Sequence, residues 1–195
     1  MTKKIRGPLV TVYVPSRNYG KYLEKSVQSV IDQTYQEWEL YIIDENSNED
    51  TKKIARVFEK KLPNKVKLIK NKKPIGLQKL ANNILQLANG KYIIRLDADD
   101  WLHELALELM VQKLEKNSNA GIAYGNYFYT NEQGKVIGIE SRHELGKEDM
   151  VGHLPPHGAC TLIETDALRD VDGYLENVDA QDGWDLWYKL YKKIG

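Results

Sequence analysis

Asp97-Ala98-Asp99-Asp100 follows directly on the run Tyr92-Ile93-Ile94-Arg95-Leu96 in this 195-residue chain. On an extended strand residues i and i+2 point the same way, so Asp97 and Asp99 can present two carboxylates from one strand end. Such a pair suits a hard divalent cation, because Mg²⁺ is typically held by one or two carboxylates together with substrate phosphates. The competing reading is a helix that begins near Trp101, with Asp100 as its N-cap and the other acids solvating its first turn. Capping accounts for one carboxylate and leaves two without a purpose. Two further polar groups, Pro15-Ser16-Arg17-Asn18 and Asp44-Glu45-Asn46-Ser47, also follow strand-like runs. None of the three is glycine-rich, and the chain has neither G-x-G-x-x-G nor G-x-x-x-x-G-K-[ST], the dinucleotide and P-loop signatures. Bound phosphates would need a neutralising group other than a glycine cradle, and a divalent cation supplies one.

Near the end of the chain, Gln181-Asp182-Gly183-Trp184-Asp185-Leu186-Trp187 sets two carboxylates at the head of an amphipathic stretch. Asp182 stands just ahead of the helical pattern, where a carboxylate can project into a cleft as a general base or serve as the N-cap. Asp185, three residues on, is the companion of such a start or the base itself. Trp187 falls to the core by its helical spacing, whereas Trp184 is left open between core and ligand stacking. His157, in Gly-His-Leu-Pro-Pro-His-Gly, can complete a cation shell or touch a ligand, or be solvated as loop histidines usually are. Cys160 reads as a small buried hydrophobe.

The elements that must position these groups are legible as β-rich runs alternating with helical periods, the pattern of βαβ units and a mostly parallel sheet. Strands are expected at 9–14, 39–44, 65–70 and 92–96. Between them, Leu23/Val27/Val30/Ile31, Ile54/Val57/Phe58/Leu62 and Leu77/Leu80/Ala81/Ile84/Leu85/Ala88 form apolar helical stripes. Pro63 closes the second stripe, and Gly90 is the expected C-terminal cap of the third. Beyond the acidic motif, Leu105, Leu109 and Met110 mark a helix that ends before Asn117. Residues 122–129 and 136–139 flank Asn131-Glu132-Gln133-Gly134 as a hairpin, 140–158 reads as a long loop, and 159–163 as a further strand. Ligands of open α/β sheets sit outside the carboxyl ends of the strands, where the strand order reverses. The three polar groups occupy that place.

Composition bounds the answer. The length suits one domain, taken as 1–195. Equal numbers of basic and acidic side chains, 28 of each, argue against a strongly basic nucleic-acid binder. Residues 1–95 nevertheless carry 19 Lys and Arg against 9 Asp and Glu. That basic half can receive an anion, and the acidic remainder can hold a cation. The lysines at 60, 61, 65, 67, 70, 72 and 73 are read as solvation of a helix end and a strand face. With one cysteine there is no internal disulfide, which suits a reducing compartment. No apolar run approaches the ~18 residues of a spanning helix, and the first residues lack the apolar stretch of a secretory signal. The expectation is a cytoplasmic protein, with peripheral association at the inner face of a membrane left open.

Four segments together resemble the family-2 glycosyltransferases of GT-A fold. They are Val14-Pro15-Ser16-Arg17-Asn18, Ser26 to Tyr35, Trp38 to Ser47, and Gly90 to Asp100, which lie in family order and spacing along nearly the whole chain. The resemblance implies a Rossmann-like α/β domain and an inverting, metal-dependent enzyme of surface polysaccharide or glycoconjugate synthesis. It would move a sugar from a nucleotide-diphosphate donor to a carbohydrate or lipid-linked acceptor. It also implies a nucleotide-sugar-binding half at 1–100 and an acceptor-binding half at 101–195, that Pro15, Arg17, Asp44 and Glu45 contact the nucleoside, and that Asp97 sits near the ribose, as a nucleotide contact and, with Asp99, a metal ligand. Asp99 would ligate Mg²⁺ or Mn²⁺ at the diphosphate, and Gly76 and Asn82 would belong to a donor-site helix. Asp182 would be the base, with Asp185, Trp184 and His157 toward the acceptor. Arg17 stands where relatives often have an aromatic, Glu45 where they often have Asp, and Ala81 where they often have Arg. A UDP-sugar is the default donor. Relatives often continue past the last helix, so a C-terminal truncation is open. The competing functions are a non-catalytic nucleotide-sugar-binding module of a larger synthase and a nucleotidyltransferase, for which Pro15 to Gly20 is a poor version of the glycine-rich loop.

Overall fold

The computed structural model describes residues 7–141, 158–176 and 184–194. The first elements in chain order are β1 (Val10–Ser16), α1 (Gly20–Ile31), β2 (Trp38–Asp44), α2 (Glu49–Lys61), β3 (Val66–Lys70), α3 (Leu77–Leu87) and β4 (Tyr92–Arg95). There follow α4 (Ala106–Lys116), β5 (Ile122–Tyr124), β6 (Tyr127–Thr130), β7 (Val136–Glu140), β8 (Thr161–Glu164), α5 (Thr165–Asp170) and α6 (Trp184–Ile194). The main sheet has the order β3-β2-β1-β4-β8-β5. Its first four strands are parallel, and β8 and β5 join antiparallel.

The alternating side chains of the central strands feed two cores. Val10, Val12, Val14, Leu40, Ile42 and Ile94 pack under α1, α2 and α4 through Leu23, Val27, Val30, Phe58, Leu107 and Val111. Tyr13, Tyr41, Ile43 and Ile93 face α3, α5 and α6 through Leu80, Ile84, Leu85, Leu168, Leu186 and Trp187. With both faces covered, β2 and β4 are buried at every residue, as strands inside a doubly covered sheet must be. The order reverses at β1, since β2 and β4 flank it, and open α/β folds place their ligand crevice at such a reversal, here outside the carboxyl ends of β1 and β4.

Several expected elements come out differently. The helix after the acidic motif starts at Ala106, not near Trp101, and its N-cap position is Leu105. The segment between is held by α1 and the residues just after it. Ser29 Oγ accepts the Leu102 N–H at 3.1 Å, Gln33 Nε2 donates to the His103 carbonyl at 2.8 Å, and Gln33 Oε1 accepts the Leu107 N–H at 3.0 Å. Gln33, buried and 74 positions away from Leu107, caps this helix, so Asp100 does not. The expected strand at 122–129 breaks at Gly125-Asn126. β5 enters the main sheet, whereas β6 pairs with β7 in a separate two-stranded sheet. Its turn is as expected, with Asn131 Oδ1 accepting the N–H groups of Gln133 and Lys135 and Gly134 at φ 79°. Gly90 is not the cap of α3, whose C-cap is Ala88. A Cβ at Gly90 would lie 2.5 Å from the Thr11 nitrogen, so close backbone approach requires glycine there. Lys65 and Lys67 do more than solvate: their ammonium groups lie 4.0 Å and 4.9 Å from the ring centroids of Trp38 and Tyr41. α5 was not signalled by the sequence pattern.

Candidate active site

β1 and β2 end side by side, Ser16 opposite Asp44, and the loops that follow are tied together. Asp44 is buried, and its Oδ1 accepts the Ser47 N–H at 2.8 Å. Ser47 Oγ donates to the Ser16 carbonyl at 3.2 Å and accepts the Asn18 N–H at 3.1 Å, and Asn18 Oδ1 accepts the Asn48 N–H at 2.8 Å. Asn18 and Asn46 take left-handed φ values of 63° and 59°, which asparagine tolerates better than most residues. Asn48 then caps α2 through the Thr51 N–H at 3.0 Å. Pro15 is half-buried on this rim, Arg17 is exposed, and Ser16 Oγ is buried with no hydrogen-bond partner among the described residues.

Glu45, also buried, uses both carboxylate oxygens on the loop ahead of α3. Oε1 accepts from the Asn71 side chain, and Oε2 accepts the Ile75 N–H at 2.9 Å. In this arrangement Glu45 braces the segment carrying Lys72 and Lys73. Gly76 closes that segment as N-cap of α3 at φ 87°, with open space where a Cβ would be. Its backbone conformation, not crowding, calls for glycine. Asn82 is bonded to the segment after α5. Its amide donates to the Tyr174 carbonyl at 2.9 Å and to Glu176 at 3.0 Å, and its Oδ1 accepts the Tyr174 N–H at 2.9 Å. It staples α3 to the segment after α5.

The acidic motif sits at the end of β4. The Leu96 N–H donates to the Tyr13 carbonyl at 3.0 Å, Ser26 Oγ donates to the Asp97 carbonyl at 3.1 Å, and the Asp100 N–H closes a turn onto the Asp97 carbonyl at 3.0 Å. Residues 97–100 are thus a turn and not a strand continuation, so strand alternation does not relate Asp97 to Asp99. Asp97 instead meets Arg95: Arg95 Nε lies 3.0 Å from Asp97 Oδ1, with the arginine side chain 3% exposed and the aspartate 28% exposed. Asp99 is exposed and has no hydrogen-bond or ion-pair partner among the described residues. Trp101, which follows the motif, is half-buried with Lys25 Nζ 3.0 Å from its ring centroid. Cys160 lies close by; burial and the neighbouring Asp100 and Asp97 push its thiol up to about 12, against the opposing Arg95 charge. A thiol raised so far stays protonated at neutral pH, and the thiolate is the nucleophilic form.

Among the described residues no group of three or more His, Cys, Asp or Glu is placed to hold a metal ion. The donor set present nevertheless fits Mg²⁺ or Mn²⁺, since a hard ion that keeps substrate phosphates in its shell needs only one or two carboxylates. Asp99 is available for that, with Asp97 beside it in sequence.

Asp185, expected toward the acceptor, is half-buried on α6, accepts the Leu175 N–H at 3.2 Å and pairs with Lys189 at 3.3 Å. Trp187 is buried in the core, as its spacing indicated. Trp184 opens α6; its side chain, Asp182 and His157 lie outside the described residues. Sequence reasoning missed Arg95, Asn71 and Gln33. Only Arg95 carried a local signal, its position two residues before Asp97.

The sequence profile described as Glycosyl transferase family 2 matches residues 11–171. The chain belongs to that family. It is 28% identical to the chondroitin synthase of Escherichia coli over 95% of this chain and 27% of that protein. It is 36% identical to an uncharacterized glycosyltransferase of Haemophilus influenzae over 84% of this chain and 54% of that protein. Among solved structures, S. aureus TarS 1-349 superposes with a TM-score of 0.75 at 20% identity, covering 93% of this chain and 55% of that one. The likeness establishes a GT-A-type α/β fold for this family-2 chain, which spans only about a quarter to a half of the length of these three proteins. Among the described residues no helix is long and apolar enough to cross a membrane.

Proposed function

We propose that this family-2 domain transfers a sugar, with inversion, from a nucleoside-diphosphate donor to an acceptor hydroxyl in polysaccharide or glycoconjugate synthesis. The observation that carries the proposal is the carboxylate of Asp99, exposed and unpartnered among the described residues, on a turn held at the mouth of the β1–β4 crevice. The stapled ends of β1 and β2, with Pro15, Arg17 and Asp44, form the nucleoside wall, and Glu45 braces the loop that brings Gly76, Lys72 and Lys73 toward it. Asp97 accepts a ribose hydroxyl. Asp99 would hold Mg²⁺ or Mn²⁺, which when bound supplies Lewis-acid stabilisation of charge on the departing diphosphate. The opposite side needs a base to take the acceptor proton. Asp185 is occupied by Lys189 and the Leu175 N–H, which favours Asp182 for that role, with Trp184 and His157 toward the acceptor. Domain halves at 1–100 and 101–195 follow from this division of labour. The donor is read as a UDP-sugar by default. S. aureus TarS is known in complex with UDP-GlcNAc, and the Pyrobaculum calidifontis mannosyltransferase PcManGT with GDP-Man and Mn²⁺.

Thermal stabilisation by UDP, GDP, CDP and dTDP with and without Mn²⁺ tests the donor site, because a ligand of the folded state raises its stability. A product and donor-hydrolysis assay then separates a transferase from a binding module. Asp182→Asn should leave donor binding intact and lower kcat by about 10²–10⁴-fold, the usual scale of base catalysis. Transfer at the wild-type rate would retire Asp182 as the base.

A further inference from the structure

Arg95 has no role in the proposed chemistry, yet it is the most deliberately placed cation near the site. It ends β4 opposite Tyr13 of β1, and its carbonyl accepts the Cys160 N–H at 2.7 Å, from a residue held at the left-handed φ of 57°. Its main chain is thus fixed from both sides. The side chain borders a small cavity shared with Tyr13, Thr161 and Tyr174. Its Nε lies 3.0 Å from Asp97 Oδ1, and Nη2 donates to Asp97 Oδ2 at 3.5 Å.

We propose that Arg95 is a positioning residue that sorts the two carboxylates of the motif, keeping Asp97 for a neutral hydroxyl and leaving the cation to Asp99. The proposal rests on the donor-site reading above. Both oxygens of Asp97 face the guanidinium, whose charge is permanent and almost fully buried. A divalent ion brought to Asp97 would meet like charge across a poorly screened gap. A hydroxyl carries no charge and meets no such repulsion, and a carboxylate retains acceptor capacity beyond its bonds to arginine. Asp99 lies out in solvent without that neighbour.

Three variants test this, with Mn²⁺ binding read by electron paramagnetic resonance without nucleotide and UDP, GDP, CDP and dTDP binding read by calorimetry with Mn²⁺. Asp97→Asn should leave Mn²⁺ affinity unchanged and weaken the nucleotide. Arg95→Gln should tighten Mn²⁺ roughly tenfold, as the freed carboxylate joins Asp99, while weakening the nucleotide by a similar factor. Arg95→Lys restores the charge but not the planar fork, so Mn²⁺ affinity should return to wild type while nucleotide affinity stays low. A merely structural role would weaken both ligands together. Loss of Mn²⁺ binding in Asp97→Asn, or unchanged or weaker Mn²⁺ binding in folded Arg95→Gln, overturns the sorting role alone. Should Arg95→Gln fail to fold, the Asp97→Asn result decides. A wild-type chain that binds neither Mn²⁺ nor any of the four nucleotides overturns the donor-site reading and this proposal with it.

Discussion

The two ends of the central sheet carry acids treated in opposite ways. At the amino end, Glu39 on β2 accepts from Thr11 Oγ1 at 2.8 Å and from the Asn89 N–H at 2.8 Å, with Asn89 Nδ2 at 3.1 Å and Lys67 Nζ at 3.5 Å from its second oxygen. Burial raises its pKa, but the Asn89 backbone and side-chain bonds, the Thr11 hydroxyl and the Lys67 charge outweigh that and hold it below the ordinary 4.5. At the carboxyl end, Asp97 is held by Arg95, and Asp99 is left without a partner among the described residues. A fully bonded buried acid contributes to folding, whereas an open one contributes only once a ligand arrives. The difference separates the scaffold from the site.

The sharpest way to break this division is to neutralise one acid from each end. Asp99→Asn should cost roughly 100-fold or more in Mn²⁺ affinity, since even outer-shell changes at metal sites cost about 10–100-fold. Its effect on unfolding free energy should stay within about 0.5 kcal/mol, as for exposed substitutions generally. Mn²⁺ titration and urea melts of the same preparation measure both. A destabilised Asp99→Asn with intact cation binding would show that the turn, too, belongs to the scaffold.

Glu39→Gln should do the reverse, leaving donor and Mn²⁺ affinities unchanged while costing about 1–3 kcal/mol, the scale of bonds to a buried charged group. Because the folded pKa is lowered, the wild-type contribution is complete above the unfolded value of 4.5 and is lost as the pH falls through the folded one. Urea melts between pH 7 and pH 3 (a range of roughly four decades in proton concentration) should therefore show a steeper acid loss in wild type than in Glu39→Gln. Parallel pH curves would remove Glu39 from the account of acid stability.

What the sequence disclosed follows the same division. Strands β1 to β4, their helices and the three polar groups at the strand ends were legible because period and punctuation are local signals. The start of α4 was not, because its cap is Gln33, far away in sequence and chosen by packing. Nor was the use of Glu45, whose partners Asn71 and Ile75 come from another loop. The expected relation between Asp97 and Asp99 assumed a strand where the chain makes a turn. The turn instead sets Asp97 against Arg95, two residues back. The break at Gly125 was hidden because β5 and β6 are each acceptable strand sequence and differ only in partner.

A third acid sharpens what the amino-end network owes to burial. Glu115 on α4 accepts from Lys91 at 2.7 Å and from the Tyr92 hydroxyl at 2.6 Å, much the same chemistry as Glu39 with Lys67 and Tyr41. Its pair, however, is open to solvent, the two side chains being 47% and 41% exposed. The Lys91 and Tyr92 bonds hold Glu115 below the ordinary carboxylate value, and the Glu115 bond raises Lys91. The pair therefore acts above the carboxylate pKa and fades only when the lysine loses its proton. In water such a pair contributes no more than about 0.5 kcal/mol, and the tyrosine bond survives replacement by an amide. Glu115→Gln should thus cost far less than Glu39→Gln, and 1 M NaCl, with a screening length of about 3 Å, should erase the difference from wild type. If urea melts at low and high salt instead gave Glu115→Gln the cost of Glu39→Gln, partner chemistry rather than burial would set the strength of these networks, and the contrast between the two ends of the sheet would have to be drawn from bond count alone.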